Sequence, residues 1–302
     1  MNLMGCGTAL VTPFRRDGAI DEPALQSLVN WQIESGINFL IPCGTTGEAA
    51  TLSEAEWLRV IEIVVETAAG RVPVFAGCTH NATHEAVARV KKLHRVRGVT
   101  GVLTANPYYN KPGQEGQYQH FRAIAEATDL PVLLYNIPGR TGANLEPATV
   151  LRLAELKNVI GVKESSGNIT QITELLTTLP SGFKVLAGDD SVALPVIALG
   201  GSGLVSVASN VIPAQMAKMV GAALENDWDA ARKINRHYFP LMQAHFWEAS
   251  PAPVKAVMHM IGRGEDVLRL PMVPVSDGTR RKLEQLANEV GLVVGVAAAG
   301  RR

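Results

Sequence analysis

A lysine, a tyrosine, two adjacent threonines and an arginine stand where short apolar runs of this chain end. Lys163 closes the run Val159-Ile160-Gly161-Val162, so its amine is expected against an apolar interior. Burial there disfavours the ammonium and makes a neutral, nucleophilic amine available, which can capture a carbonyl carbon as a Schiff base. The plainer alternative is an ion pair with Glu164 or another acid at the rim. Tyr135 closes Val132-Leu133-Leu134 and can pass a proton to or from a bound carbonyl, or be a satisfied core tyrosine. Thr45-Thr46 offers a hydroxyl relay beside backbone N–H groups suited to a carboxylate, or a turn whose hydroxyls bond local backbone. Arg140, in Pro138-Gly139-Arg140-Thr141-Gly142, can grip a carboxylate with two parallel hydrogen bonds, or lie solvated.

The elements that must position these groups follow from the apolar pattern. Strand-length runs occur at Gly7–Val11, Asn38–Ile41, Val72–Ala76, Val99–Leu103, Val132–Tyr135, Val159–Lys163, Lys184–Ala187 and Leu204–Val207. They show almost no polar alternation, as strands covered on both faces should. Amphipathic segments separate them. Ser53 and Glu56 form a capping box ahead of Trp57, Val60, Ile61, Val64 and Ala68, and Asp21 with Pro23 opens another helix. Eight such units in about 220 residues predict a (β/α)8 TIM barrel, whose chemistry sits at the C-terminal ends of its strands. From Asn226 the alternation stops, and Trp228–Phe239, Val254–Ile261 and Thr279–Val290 read as helices. The predicted organisation is a barrel over 1–226 and a C-terminal helical appendage over 227–302, with the small, glycine-punctuated stretch Val293–Arg302 fraying.

Composition narrows the function classes. The 302 residues carry 28 Lys+Arg against 28 Asp+Glu, and this neutrality argues against a nucleic-acid partner. Cys6, Cys43 and Cys78 are too few for a disulfide framework and suit a reducing compartment. No signal peptide is readable at the N-terminus. Ser191 to Ala217 holds no charge over 27 residues, but its prolines and glycines predict helix, strand and helix rather than a membrane span. His80 and His84 near Cys78 hint at zinc. With Asn81 rather than Glu after the first histidine there is no HExxH motif, and capping or solvent exposure is expected instead. No P-loop or well-placed GxGxxG supports nucleotide chemistry.

Taken together, GTTGE (44–48), NPYYNKP (106–112), LLYNIPGRTG (133–142), GVKESSGN (161–168), GDD (188–190) and GGSGLVSVASN (200–210) resemble the dihydrodipicolinate synthase/N-acetylneuraminate lyase family over essentially the whole chain. The resemblance implies that Lys163 forms a Schiff base with pyruvate. Tyr135 would move protons through Thr46 and, from the adjacent subunit, Tyr109, with Thr45 supporting the relay. Thr46 and Val205 would contact the pyruvate moiety, and Arg140 would orient the carboxylate of L-aspartate-4-semialdehyde. The implied product is 4-hydroxy-tetrahydrodipicolinate, in lysine and diaminopimelate biosynthesis. No metal or organic cofactor is implied, and the implied setting is a cytoplasmic homotetramer built as a dimer of dimers. Ala49, Ala50, Asn81, Glu85 and Tyr108 match a lysine-binding pocket of inhibited relatives. Glu54 and Trp57 depart from it, so weak sensitivity to lysine is expected. Two other readings share part of the pattern. A sibling aldolase cleaving a keto-deoxy sugar acid or N-acetylneuraminate would keep Lys163 and Tyr135 without a reason for Arg140. A non-catalytic keto-acid-binding barrel would not need a reducible imine.

Overall fold

The computed structural model describes residues 3–292, and the Val293–Arg302 stretch lies outside them. Eight strands, β1 (Gly5–Ala9), β2 (Phe39–Ile41), β3 (Phe75–Gly77), β4 (Gly101–Ala105), β5 (Val132–Asn136), β6 (Val159–Glu164), β7 (Lys184–Ala187) and β8 (Gly203–Ser206), form one sheet. Every ladder is parallel, in the order β2-β1-β8-β7-β6-β5-β4-β3. The isolated parallel bridge Leu40–Val74 and the hydrogen bond from Leu40 N to Pro73 O (2.9 Å) draw the two ends together. This is the nearly closed (β/α)8 barrel that the sequence predicts.

The strands read as continuous apolar runs because both of their faces are buried. Alternate residues point inward: Ala9, Phe39, Ile41, Phe75, Leu103, Leu133, Tyr135, Leu186 and Val205 pack with one another inside the barrel. Their neighbours Leu40, Val102, Val132, Leu134, Val162 and Leu204 join the core between the strands and the surrounding helices. In the β5–β6 ladder Leu133 pairs with Gly161 and Tyr135 with Lys163, so Lys163 takes the inward parity of a core position.

Around the strands lie α1 (Glu22–Glu34), α2 (Glu54–Ala68), α3 (Thr83–Leu93), α4 (Gln114–Glu126), the single turn α5 (Pro138–Thr141), α6 (Pro147–Leu153), α7 (Ile169–Thr178), α8 (Ala193–Ala198) and α9 (Pro213–Leu224). Both predicted starts are present: Asp21 accepts from Ala24 N, and Ser53 and Glu56 complete the reciprocal box on α2. The uncharged stretch 191–217 becomes α8, β8 and α9, and no described helix is long and apolar enough to cross a membrane. Three helices follow, α10 (Trp228–Ala244), α11 (Ala252–Met260) and α12 (Asp277–Glu289); α10 lies along α9, and α12 packs on α11.

Boundaries differ from the sequence pattern where a side chain or a proline claims the backbone. β1 lies two residues earlier than predicted, because Val11 N donates to Asn210 Oδ1 (3.1 Å) rather than to a strand. β3 begins only at Phe75, after Pro73, which has no N–H to donate. β4 starts at Gly101 because Val99 N turns back to Val96 O (3.4 Å) and Val74 N donates to the Thr100 side chain at Oγ1 (3.0 Å) in place of a strand carbonyl. α10 runs past the predicted end at Phe239 and through Pro240, since buried Leu241, Met242 and Ala244 bind the added turn to the core.

His245, which ends α10, is wholly buried, and neither ring nitrogen has a hydrogen-bond partner among the described residues. Burial alone pushes its pKa down to about 3 from the ordinary 6.5. The folded state therefore holds this imidazole neutral while the unfolded chain takes up a proton below pH 6.5, and stability falls as pH drops from there toward 3. His245→Leu removes the proton uptake. Its urea midpoint is expected to exceed the wild-type value increasingly between pH 6.5 and 4, and a constant offset across that range would contradict the assignment.

Candidate active site

Lys163 is 4% exposed, and its Nζ lies 4.1 Å from the centroid of the Tyr135 ring. It makes no ion pair or hydrogen bond among the described residues. The expected alternative partner, Glu164, points the other way: its carboxylate accepts Ser166 N (2.6 Å), Asn136 Nδ2 (3.0 Å) and Gln171 Nε2 (3.5 Å). The alternation of the strand separates the two charges, sending Lys163 inward and Glu164 into a polar layer outside the barrel. Tyr135 is itself buried and belongs to the interior cluster with Val205. The amine, the phenol and Val205 thus share the barrel lumen.

Gly188, directly after β7, gives the lysine its space. A Cβ there would lie 2.9 Å from Lys163 Cε and 1.9 Å from Ser165 Oγ, closer than packed atoms approach. Ser165 Oγ is buried and unpartnered among the described residues, so a free hydroxyl stands beside the lysine stem. The motif GDD marks this place in the sequence, but the reason for its glycine depends on β6 being the neighbour of β7. Asp190 of the same motif is buried, and its Oδ2 accepts Val207 N (3.1 Å) and Ala208 N (3.0 Å) while Oδ1 accepts Ser206 Oγ. It fixes the end of β8 just past Val205. Burial pushes its carboxyl up to about 6 against the pull of those donors.

The two threonines lie in a turn strained at both ends. Cys43 (φ 56°) and Glu48 (φ 52°) adopt left-handed backbone, which costs a non-glycine residue roughly 1–2 kcal/mol. Between them Gly47 N donates to Gly44 O (3.1 Å), Glu48 N donates to Thr45 O (3.1 Å), and Thr12 Oγ1 donates to Gly47 O (2.7 Å). Thr46 is buried and Thr45 is exposed. At the Cys43 end Gly77 N donates to Pro42 O (2.9 Å), and a Cβ on Gly77 would lie 2.0 Å from Cys43 O. Buried Trp57 closes this corner by donating from Nε1 to Gly77 O (2.8 Å).

At the other end Glu48 meets Lys255 of α11. Both side chains are 2% exposed, and Lys255 Nζ donates to Glu48 Oε1 and to Val267 O (2.9 Å). Glu48 Oε2 accepts Arg269 N (3.2 Å). The Arg269 guanidinium forks onto both Glu56 oxygens, at 2.9 and 2.6 Å, and holds the Glu56 carboxyl down to about 2. The Phe14 ring lies under both cations, 4.3 Å from Lys255 Nζ and 4.4 Å from Arg269 Cζ.

A second buried polar layer supports the strand ends next to the lysine and the tyrosine. Asn136 donates to Glu164 and to Asn144 Oδ1 (2.9 Å), while its Oδ1 accepts Leu145 N (2.9 Å) and Asn106 Nδ2 (3.3 Å). Asn106 also donates to Gln117 Oε1 and Ala143 O, each at 2.9 Å. Asn106 and Asn136 stand within the motifs NPYYNKP and LLYNIPGRTG, but amides at strand ends carry no signal of their partners in the sequence.

Other predicted residues lie at the surface. Arg140 is exposed and tethered by Nη2 to Ser250 O (3.2 Å), joining the loop after β5 to the segment between α10 and α11. Tyr109 is 87% exposed with φ 74°, and its N donates to Thr141 O (3.3 Å). His84 is exposed beside Glu85, and His80 accepts Ala82 N at Nδ1 (3.0 Å) just before α3. Among the described residues no three His, Cys, Asp or Glu side chains are grouped to hold a metal ion. The three cysteines are buried and free, and burial raises every thiol, Cys78 to about 12.

The sequence model of the Dihydrodipicolinate synthetase family matches residues 2–290. A protein of Acidobacterium capsulatum named 4-hydroxy-tetrahydrodipicolinate synthase is 62% identical over 295 residues, covering 97% of this chain and 98% of its own length. One of the same name from Koribacter versatilis is 57% identical, with 99% and 100% covered. Among solved structures, dihydrodipicolinate synthase from Aquifex aeolicus superposes with a TM-score of 0.93 at 41% identity, covering 96% of this chain and 99% of that one. The barrel, its buried unpaired lysine and these likenesses agree, and the chain belongs to the dihydrodipicolinate synthetase family.

Proposed function

We propose that the chain condenses pyruvate with L-aspartate-4-semialdehyde to give 4-hydroxy-tetrahydrodipicolinate, through a Schiff base on Lys163. The observation that carries this reading is the Lys163 amine, buried against the Tyr135 ring and without an ion pair among the described residues. Its Nζ adds to the pyruvate ketone, the carbinolamine loses water, and the iminium becomes an electron sink for the carbanion left when a methyl proton departs. The enamine carbon then bonds to the aldehyde carbon, and the new alkoxide takes up a proton. The substrate's own amine attacks the iminium carbon, closes the ring and expels Lys163. Tyr135, beside the amine, is the group placed to carry these protons, with Thr46 as its relay and Thr45 in support. Val205 and Thr46 would flank the pyruvate moiety, and Arg140 at the surface would take the semialdehyde carboxylate.

The same reading makes Tyr109 a contributor to a neighbouring subunit's relay in a homotetramer, a dimer of dimers. Its exposure, at a left-handed backbone position bonded to Thr141 O, supports this. Three buried free thiols fit a reducing cytoplasm. The division into a barrel, 1–226, and a helical segment, 227–302, accords with where strands give way to helices. Weak sensitivity to lysine is supported by Trp57, which is committed to the core, and by Glu54, which is paired with Lys92.

Borohydride with pyruvate is expected to place one reduced adduct on Lys163, read by peptide mass spectrometry, and Lys163→Arg to abolish it. Trapping elsewhere, or turnover of sugar acids in place of pyruvate with aspartate semialdehyde, would overturn the assignment. Gly188→Ala drives a methyl group into Lys163 Cε and Ser165 Oγ. It is expected to lower turnover by about tenfold or more, in line with misplacing a reacting group, while the far-ultraviolet circular dichroism is kept. Lysine at low concentration should leave the wild-type rate unchanged.

A further inference from the structure

The threonine turn is anchored from two directions, and only one of them is the barrel. Its Cys43 end is gripped by Gly77 and Trp57. Its Glu48 end is gripped by Lys255 Nζ and Arg269 N, which lie 207 and 221 residues further along the chain. A non-glycine residue stays in left-handed backbone only where its surroundings over-determine it. Relaxing Glu48 to right-handed backbone would swing the chain from Ala49 onward and undo the bond from Ala49 N to Gly44 O (3.5 Å), which spans both threonines. The Lys255 ammonium cannot simply release Glu48 either, since among the described residues it would remain buried with only Val267 O and the Phe14 ring for company.

We propose that Glu48 and Lys255 are positioning residues for the Thr45–Thr46 turn, so that the segment after the barrel sets the geometry of the proton relay as well as covering the barrel's end. The proposal rests on the relay reading above. Neither residue touches the reacting atoms. Each acts through the backbone angle at Glu48, and the requirement is for the charge pair rather than for filled volume.

The experiment compares wild type, Glu48→Gln, Lys255→Met and the double variant Glu48→Gln/Lys255→Met. Each is scored by melting temperature, kcat, KM for the aldehyde, and the rate and final yield of the borohydride-trapped pyruvate adduct. Each single variant leaves an uncompensated buried group and is expected to melt lower. The double variant removes both charges and is expected to recover most of the melting temperature, because a buried ion pair adds little over a neutral pair of similar shape. Its kcat and trapping rate are nevertheless expected to stay about tenfold or more below wild type, the scale of a misplaced proton relay. Its adduct yield at long times and its KM for the aldehyde should be unchanged. Recovery of kcat along with the melting temperature would make the pair structural and overturn the proposal. Glu48→Asp, which keeps the charge but withdraws it by one methylene, gives the same reading should the double variant fail to fold. A kcat about tenfold down with near-normal melting supports positioning, and a wild-type kcat refutes it. Absence of trapping and turnover in the wild type would instead sink the functional assignment itself.

Discussion

A cation-forming side chain is held in an apolar lumen with no counter-ion among the described residues, and the architecture around it follows from that requirement. In most buried settings a lysine finds a carboxylate, as Lys255 finds Glu48 here. Lys163 finds none among the described residues, although a carboxylate is its immediate neighbour in sequence. The parallel ladder keeps the two apart by sending successive side chains to opposite faces. Asn136, Gln171 and Ser166 N then occupy the Glu164 oxygens, so the acid has no reason to turn back. The amine is left free because its natural partner is fully engaged elsewhere. That is a property of the network outside the barrel as much as of the lumen.

The polar layer therefore has two jobs with one geometry. Asn136 follows Tyr135 and Glu164 follows Lys163, and these two outward residues are bonded directly to each other. Their hydrogen bond ties the tips of β5 and β6 together at the level where the phenol and the amine face inward. A shift of either strand end would break buried amide bonds, each costly to leave unmade. The inward pair is held in register by the outward one.

Legibility in the sequence tracked locality. The barrel was readable because two buried faces leave an unbroken apolar run, and eight such runs separated by helical patterns admit few arrangements. Lys163 was readable because one charge at the end of such a run is conspicuous, and the capping box of Ser53 and Glu56 was readable because it is complete within four residues. The strand ends were less so. Pro73, Thr100 and Asn210 moved them through hydrogen bonds made to distant backbone or withheld from it. Glu48 appeared only as the last letter of a motif. Its partner is in another part of the chain, and no periodicity connects them. The role of Gly188 was hidden for the same reason, since the atoms it makes room for belong to the adjacent strand.

Those long-range contacts also explain why a barrel whose own strands nearly close it carries three further helices. None of the strand ladders involves them, so their value must be sought in what they touch. These helices and the segments joining them supply Lys255 and Arg269 to one loop at the mouth and Ser250 O to another. The loops after β2 and β5 have no strand of their own to define them, and loops of that kind are ordinarily the mobile part of a barrel. A buried charge pair on one and a guanidinium tether on the other convert two loop tips into fixed points. Catalysis by a proton relay depends on sub-ångström placement of hydroxyl groups, and such placement is more secure when the loop that carries them is held from both sides.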